Sequence, residues 1–341
     1  MEITYESVLE RSAIISHLDF NLAKILEAER ILITGAGGSV GSKICLLLSS
    51  LENVNLLATD RDENRLHSLS LDIMGTALFN SPAYRVLDVR DKTGVENIVS
   101  WYKPTMIIHA AALKHLAILE QQPREAYLTN FLGTKNLLLA ASNFNVKSFL
   151  NISTDKAANP ISILGKTKYM AEILTSYFRN LGHTNFTSVR FGNVFNSKGS
   201  VIETFTHQIM DGLSVTLTDE KVERFFMKIE EAASLSIIAA VLNASDVHIL
   251  DMGKPVKLKY VIEKLMHILN KTSNIEIVGL RQGEKITEEL WSPEEHPFPT
   301  AHLKINALKL NKNLTNLSEI MEEISDDRDA LIQINKFLAQ V

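Results

Sequence analysis

The stretch ILITGAGGSVGSKI, residues 31–44, constrains the fold more than any other part of the chain. A β-forming run ends in glycines at positions 35, 38 and 41, and an apolar run of helical length comes next. Glycine lets the main chain approach a phosphate closely, and the start of a helix offers N–H groups without internal partners. Strand, glycine turn and helix in this order predict a nucleotide-binding turn made by Gly35, Gly38, Ser39, Val40 and Gly41.

The next strands extend the same site. The second strand candidate, VNLLATD, ends in Asp60, nineteen residues beyond Gly41. A carboxylate there can accept from both ribose hydroxyls, which predicts NAD. The adjacent Arg61 could meet a 2′-phosphate and leaves NADP open. Asp88 and Val89 end the third strand candidate, where adenine is expected, and Ala110 and Ala111, which end the fourth, are further cofactor candidates.

Further strand candidates are RILITG, YRVLDV, MIIHAA, KSFLNIS and FTSVRFGNV, separated by amphipathic runs of helical length. Apolar strands alternating with helices predict an α/β fold, a Rossmann-type doubly wound parallel sheet covered on both faces. Beyond residue 199 the rhythm changes to TFTHQIMDGL, EEAASLSIIAAVL and KYVIEKLMHILN, with short strands such as HILDM and NIEIVGL between them. This predicts a smaller, mostly helical C-terminal substrate-binding lobe. The expected division is a helical lead-in over 1–28, the nucleotide-binding domain with the catalytic residues over 29–199, and the lobe over 200–341, partly interleaved with the sheet.

Composition narrows the function. A net charge of -5 argues against a nucleic-acid binder, which usually carries a basic face. The single cysteine, Cys45, sits in the apolar run KICLLL and cannot form an intramolecular disulfide, which fits a reducing, cytoplasmic compartment. The first residues, MEITYESVLERSAIISHLDF, do not read as a signal peptide. No run approaches the ~20 apolar residues that span a bilayer, and LSIIAAVL reads as a core helix. His109 and His115 lack the spacing of a helical zinc pair and His267 reads as packing, so no metal is expected. Neither a Gly-x-Ser-x-Gly elbow nor a P-loop lysine is present.

The chemistry concentrates after the fifth strand, in ISTDKAANP, at the crevice where open α/β sheets bind ligands. Thr154, Asp155 and Lys156 place a hydroxyl, a carboxyl and an amine side by side, a set able to pass protons in a closed site. The Gly-x-x-Gly-x-x-Gly spacing resembles the extended short-chain dehydrogenase/reductase superfamily, whose usual signature is Tyr-x-x-x-Lys on a helix. In SILGKTKYMAEIL the lysine is Lys168, and Leu164 stands where the tyrosine would be.

ISTDKAANP followed by GKTK closely resembles the nucleotide-sugar 4,6-dehydratases of the capsular polysaccharide and flagellin-glycosylation group, whose substrate is UDP-N-acetylglucosamine. The segments TGAGGSVGS, HAAALKHLAILEQQP, TNFLGTKN, RFGNVFNSKGSV, TDEKVERFFMKIEEA and GLRQGEKITEEL extend the resemblance over about residues 30–295. It implies a lyase that oxidises C4 of a UDP-sugar, eliminates water across C5 and C6, and returns the hydride to C6. Lys156 then matches the C5 base, Asp155 the acid at C6, Thr154 the partner of the C4 oxygen, and Lys168 the ligand of the nicotinamide ribose. Lys114, His115 and Asn193 are implied at the substrate, and Asn130 in fixing helix backbone near the active site. Arg281 and Glu284 are implied at the pyrophosphate and uridine ribose, and Arg224 at the diphosphate, with a surface salt bridge as its alternative. The resemblance also implies a homo-oligomer, a dimer or higher.

Two residues depart from the pattern. Leu164 cannot take a proton, so the C4-hydroxyl proton is expected to pass to Asp155, through Thr154 or a water. Lys43 puts a cation in the first turn of the cofactor helix, where the macrodipole is positive, and keeps NADP open. Two other readings stand beside the dehydratase: a nucleotide-sugar 4-epimerase, which needs no C5 or C6 proton transfer, and a noncatalytic NAD-binding module. AALKH resembles inverting enzymes, while SILGKTK and the lead-in helix resemble retaining ones, so the C5 outcome stays open.

Overall fold

The computed structural model describes residues 2–11, 20–76, 83–182, 185–242, 244–311, 314, 317, 320–321 and 323–341. After α1 (Tyr5–Leu9) and α2 (Phe20–Leu26), the chain alternates β1 (Arg30–Thr34), α3 (Ser39–Ser49), β2 (Asn55–Asp60), α4 (Glu63–Met74) and β3 (Tyr84–Val86). It continues through α5 (Lys92–Tyr102), β4 (Met106–His109), α6 (Leu116–Gln121), α7 (Pro123–Ala126), a π-helical turn (Tyr127–Leu132) and α8 (Gly133–Asn143). Then come β5 (Ser148–Ile152), a 3-10 turn (Asp155–Ala157), α9 (Ile163–Asn180), β6 (Asn185–Arg190) and β7 (Asn193–Val194).

The remainder comprises α10 (Val201–Met210), β8 (Val215–Leu217), β9 (Glu223–Arg224), β10 (Phe226–Met227), α11 (Ile229–Leu242) and β11 (Val247–Leu250). It ends with β12 (Val256–Lys257), α12 (Leu258–Leu269), β13 (Ile275–Ile277), β14 (Phe298–Pro299), β15 (Ile305–Leu308) and α13 (Asp327–Gln340).

Nine strands form one sheet in the order β14-β15-β11-β6-β5-β4-β1-β2-β3. From β3 to β11 all neighbours run parallel, and β15 and β14 add an antiparallel edge. This is the doubly wound α/β fold expected from the alternating pattern. The central strands are buried along their length, which is why they read as unbroken apolar runs. Helices α3, α4 and α11 pack side by side in one layer, and α5, α8 and α9 in another. The strand order reverses between β1 and β4, so the crevice lies beyond their carboxyl ends.

Three local expectations change. FTSVRFGNV is not one strand: β6 stops at Arg190, the chain turns through Phe191 and Gly192, and β7 pairs with β10 outside the main sheet. The turn makes room for Asp155, which packs against Gly192. HILDM supplies β11 to the main sheet, and the helix within EEAASLSIIAAVL packs on α3 and β5, so neither belongs to the lobe's interior. A helix apolar around its whole circumference is stable only when covered on several sides, and α11 is covered by α3 and the sheet.

A second core lies beyond the sheet, where Phe205, Ile209, Val261 and Leu265 of α10 and α12 meet Val215 and Leu217 of β8. Helix α1 joins this second core through Tyr5, Val8 and Leu9, with the Tyr5 ring edge-on to Phe195 at 5.7 Å. Only α2 leads into the sheet's own core, through Leu22 and Leu26. Residues 12–19 of the expected lead-in fall outside the described residues. Among the described residues no helix is long and apolar enough to cross a membrane.

Candidate active site

The glycine turn is built by close approach. Gly35 has a φ of +69°, and a Cβ there would lie 2.5 Å from the Ala111 nitrogen. A Cβ on Gly41 would lie 2.2 Å from the Gly35 carbonyl oxygen. The loop carrying Ala110 and Ala111 therefore presses on the turn. Gly38 caps α3 without a side chain, leaving the first N–H groups of the helix to a ligand. The Gly37 amide donates to Asp60 Oδ2 at 3.0 Å, which ties the carboxylate ending β2 to the turn. This cradle, which any side chain would fill, fits a dinucleotide. Arg61 is exposed. Lys43 is paired with Glu230 of α11 at 2.9 Å, so its charge is already matched within the protein. Asp88 is gripped by Arg90 at 2.5 Å, and Val89 is buried against Gly133 of α8.

The loop after β5 is held from two sides. Ser153 and Asp155 donate their amides to the carbonyls of Val189 and Phe191, so the loop runs beside the end of β6. A Cβ on Gly192 would sit 2.7 Å from Asp155 Oδ2, and one on Gly165 would sit 2.2 Å from the Lys156 carbonyl oxygen. These two contacts explain the glycines of RFGNV and LGKTK, and the first explains why β6 gives way where it does: the chain must step aside for Asp155.

Within the loop, Thr154 Oγ1 donates to Asp155 Oδ1 at 2.9 Å, and Lys156 Nζ donates to the same oxygen at 3.0 Å. Asp155 is 0% exposed, and among the described residues its Oδ2 has no hydrogen-bond partner. Lys156 Nζ also lies 3.6 Å from Oε1 of Glu288, a buried carboxylate whose Oε2 likewise has no partner. Burial works against the charge on Lys156, but Asp155 and Glu288 outweigh it and hold its pKa above the ordinary lysine value.

Lys168, on α9, is buried. Desolvation brings its pKa down to about 8, with Glu172 opposing the shift. Leu164 is buried one turn earlier on the same helix. His109 bridges the ends of β1 and α8, with Nδ1 2.7 Å from Thr34 Oγ1 and Nε2 3.0 Å from Thr134 Oγ1. Burial, reinforced by Lys168, lowers its pKa to about 3, so it is a neutral structural bridge.

The remaining candidates divide into two groups. Arg224 and Glu284 meet at 3.1 Å, and Glu284 also accepts from Thr218 Oγ1 at 3.1 Å. Arg224 is buried, which replaces the surface alternative for it with an interior ion pair, and its charge bears on Lys156. Arg281 is exposed on the same segment as Glu284, and Asn193 is half-buried in β7. Lys114 and His115 instead meet the loop after β7: Lys114 Nζ donates to the Lys198 carbonyl at 2.7 Å, and His115 lies against Gly199. Asn130 works on the main chain. It is fully buried in the π-helical turn, with its amide donating to and accepting from the Leu113 backbone at 3.1 and 2.8 Å. It fixes the backbone of the loop carrying Lys114, and its Nδ2 also reaches Thr167 Oγ1 of α9 at 3.4 Å.

Sequence reasoning missed two features. One is Glu288, whose segment was legible but whose placement beside Lys156 depends on a long-range bridge between Thr287 and Glu223. The other is the buried cluster of Arg190, Glu172 and Glu295, which joins β6, α9 and the segment before β14. Among the described residues no group of three or more His, Cys, Asp or Glu is placed to hold a metal ion.

A doubly wound sheet, a glycine turn tied to the carboxylate ending β2, and a buried lysine on the helix after β5 define an extended short-chain dehydrogenase/reductase. Within that class the chain belongs to the polysaccharide biosynthesis protein family, whose profile matches residues 31–310. Capsular polysaccharide biosynthesis protein CapD of Staphylococcus aureus is 38% identical over 306 residues, covering 87% of this chain and 50% of CapD. The inverting UDP-N-acetylglucosamine 4,6-dehydratase of Campylobacter jejuni is 31% identical over 278 residues, 80% of each chain. The UDP-glucose 4-epimerase of Rickettsia rickettsii is 31% identical over 275 residues, 78% of each. Among solved structures, Pen from Bacillus thuringiensis superimposes with a TM-score of 0.73 at 30% identity, covering 82% of this chain and 89% of that one. The chain spans about half the length of the first curated relatives, 50% of CapD and 48% of EpsC from Bacillus subtilis.

Proposed function

We propose that the protein dehydrates a UDP-sugar, UDP-N-acetylglucosamine foremost, to the 4-keto-6-deoxy sugar nucleotide, for the synthesis of surface polysaccharide or glycoprotein sugars. The observation that carries this reading is the buried contact between Asp155 and Lys156, 3.0 Å long, at the mouth of the crevice. Elimination across C5 and C6 needs an acid and a base together, and epimerisation at C4 needs neither there. The likeness to CapD and to the Campylobacter dehydratase supports the same reading.

The glycine turn, Asp60 and Lys168 would hold NAD. Asp60 would repel a 2′-phosphate, which favours NAD over NADP. When bound there, NAD would supply a hydride acceptor for C4 and a hydride donor for C6 of the sugar. The protein's own residues handle the protons. With Leu164 unable to act, the C4-hydroxyl proton passes to Thr154 Oγ1 as the Thr154 proton moves to Asp155 Oδ1. Asp155, now protonated, hands a proton to the departing C6 hydroxyl, and Lys156, once its ammonium has given up one proton, takes the proton from C5. Arg281, Arg224 and Glu284 hold the uridine diphosphate, an arrangement suited to bidentate phosphate and diol recognition.

The test is incubation with NAD and UDP-N-acetylglucosamine, followed by mass spectrometry. Loss of one water is expected. An unchanged mass with a new sugar would establish the 4-epimerase, the second reading, which the Rickettsia relative favours at the same identity as the dehydratase. No change at all would leave a cofactor-binding module.

A further inference from the structure

We propose that Glu288 is a positioning residue for Lys156: a second buried carboxylate that takes up the Lys156 proton once Asp155 is protonated, and so frees the amine for C5. The inference rests on the dehydratase reading above. Glu288 is 3% exposed, and its Oε1 lies 3.6 Å from Lys156 Nζ, on the amine that also donates to Asp155 at 3.0 Å. The neighbouring charges are spoken for. Arg224 pairs with Glu284, and Lys285 lies 3.6 Å from Glu289 and donates to the Ala158 carbonyl at 3.2 Å. Among the described residues Glu288 therefore has Lys156 as its ionic partner, and its second oxygen is buried without a hydrogen bond. A carboxylate kept for architecture is normally saturated when buried.

The proton count requires such a group. At rest Lys156, whose pKa is raised, carries its proton 3.0 Å from Asp155 and 3.6 Å from Glu288. Oxidation at C4 delivers a second proton, to Asp155. A base is then needed at C5, yet an ammonium cannot serve. If the N–H bond of Lys156 breaks and an O–H bond forms at Glu288 Oε1, the amine becomes available and no net charge is created. The separation must shorten for this transfer, as ligand-free catalytic contacts commonly do when substrate binds. Lys156 then takes the C5 proton and returns it to C5 after the hydride reaches C6. Glu288 gives its own proton back to Lys156, and the starting state is restored.

The test has two readouts on E288Q. In the ligand-free protein, acetic anhydride labelling across pH, read by peptide mass spectrometry, gives the pH at which Lys156 is half reactive. That midpoint is expected to fall by ~1 unit relative to wild type, as when an opposite charge is removed at this range. With UDP-N-acetylglucosamine and NAD in heavy water, C5 exchange and water release are expected to fall by ~10²-fold in kcat with KM unchanged. A lowered midpoint with undiminished C5 exchange would overturn the proposal, because Glu288 would then merely hold charge. An unmoved midpoint would overturn it as well. If E288Q does not fold, E288D keeps the charge but withdraws it by one methylene, and the same two shifts are expected at smaller size. If the wild-type protein releases no water from the sugar nucleotide, the dehydratase reading fails and takes the C5 role with it. The labelling midpoint would still report whether Glu288 holds the Lys156 proton.

Discussion

Two buried charge clusters stand a few residues apart at the ends of β5 and β6, and they are built on opposite plans. In the first, Arg190 is 0% exposed and its guanidinium meets Glu172 at 2.6 Å and Glu295 at 2.8 Å. Ser153 and the Ser292 amide fill the remaining acceptor sites, at 2.5 and 2.8 Å. In the second, Lys156 meets Asp155 and Glu288, and each carboxylate keeps one buried oxygen without a partner among the described residues. Buried charge is tolerated when every lone pair is satisfied and is expensive otherwise. The closed cluster thus locks three segments together, while the open one holds reactive capacity that its surroundings keep in place.

The contrast is broken most severely by removing the cation from each. Arg190→Met leaves the fully buried Glu172 carboxylate without its cation, beside the partly exposed Glu295, and a loss of ~3–5 kcal/mol in unfolding free energy is expected in denaturant melts. Lys156→Met likewise leaves Asp155 and Glu288 without their cation, so a loss of stability is expected there too, but its distinguishing effect is a ~10²–10⁴-fold fall in water release in a mass-spectrometric assay. Water release left undiminished in folded Lys156→Met would erase the distinction.

Gly192→Ala tests how tightly the open cluster is seated. The added methyl would lie 2.7 Å from Asp155 Oδ2, so the carboxylate must move. A drop of up to ~10²-fold in turnover is expected, since displacements of about 1 Å have that effect. The matching measurement is the melting temperature, which should fall far less than in Arg190→Met.

Lys168 sharpens the comparison through pH. Its folded pKa of about 8 lies below the ordinary 10.5, so between those values the unfolded chain binds more protons and stability rises with pH. Below pH 8 the full penalty of burying the ammonium is present. Lys168→Met is therefore expected to stabilise the ligand-free protein at pH 7 by up to ~3 kcal/mol, taking 1.4 kcal/mol per unit. The gain should vanish near pH 10, while catalysis is lost throughout. Leu164→Tyr is expected to restore a base one turn before Lys168 and to raise or redirect oxidation at C4. The smallest effect belongs to Lys43→Ala, which removes a half-exposed pair with Glu230 and should change stability by less than ~1 kcal/mol.

Much of the fold could be read from the chain because its signals are local. The glycine turn, Asp60 and the strands from β1 to β5 each announce themselves within a few residues, and the parallel sheet follows from their alternation. What escaped depends on contacts between distant segments. The break after Arg190 is dictated by Asp155, which lies 35 positions earlier in the chain. Helix α1 carries an ordinary apolar face, and nothing in its own residues says that the second core will receive it. Glu288 reads as one more acidic residue in TEEL until the strand pairing brings it to Lys156. The same holds for Asn130, whose amide could equally have met ligand or backbone.

One small contact ties the two ends of the crevice together. Gly283, with a φ of +76°, lies between Arg281 and Glu284, and a Cβ there would fall 2.8 Å from both Glu120 Oε1 and the Ser162 Cβ. Glu120 holds the Ile163 amide at 2.7 Å and Ser162 caps α9, the helix that carries Lys168. The segment proposed for the uridine diphosphate therefore rests directly on the first turn of the helix proposed for the cofactor, with no side chain of its own at position 283 to act as a spacer. If those two segments hold the two ligands as proposed, this close seating would fix the span between them, and one added methyl at position 283 would be expected to alter it.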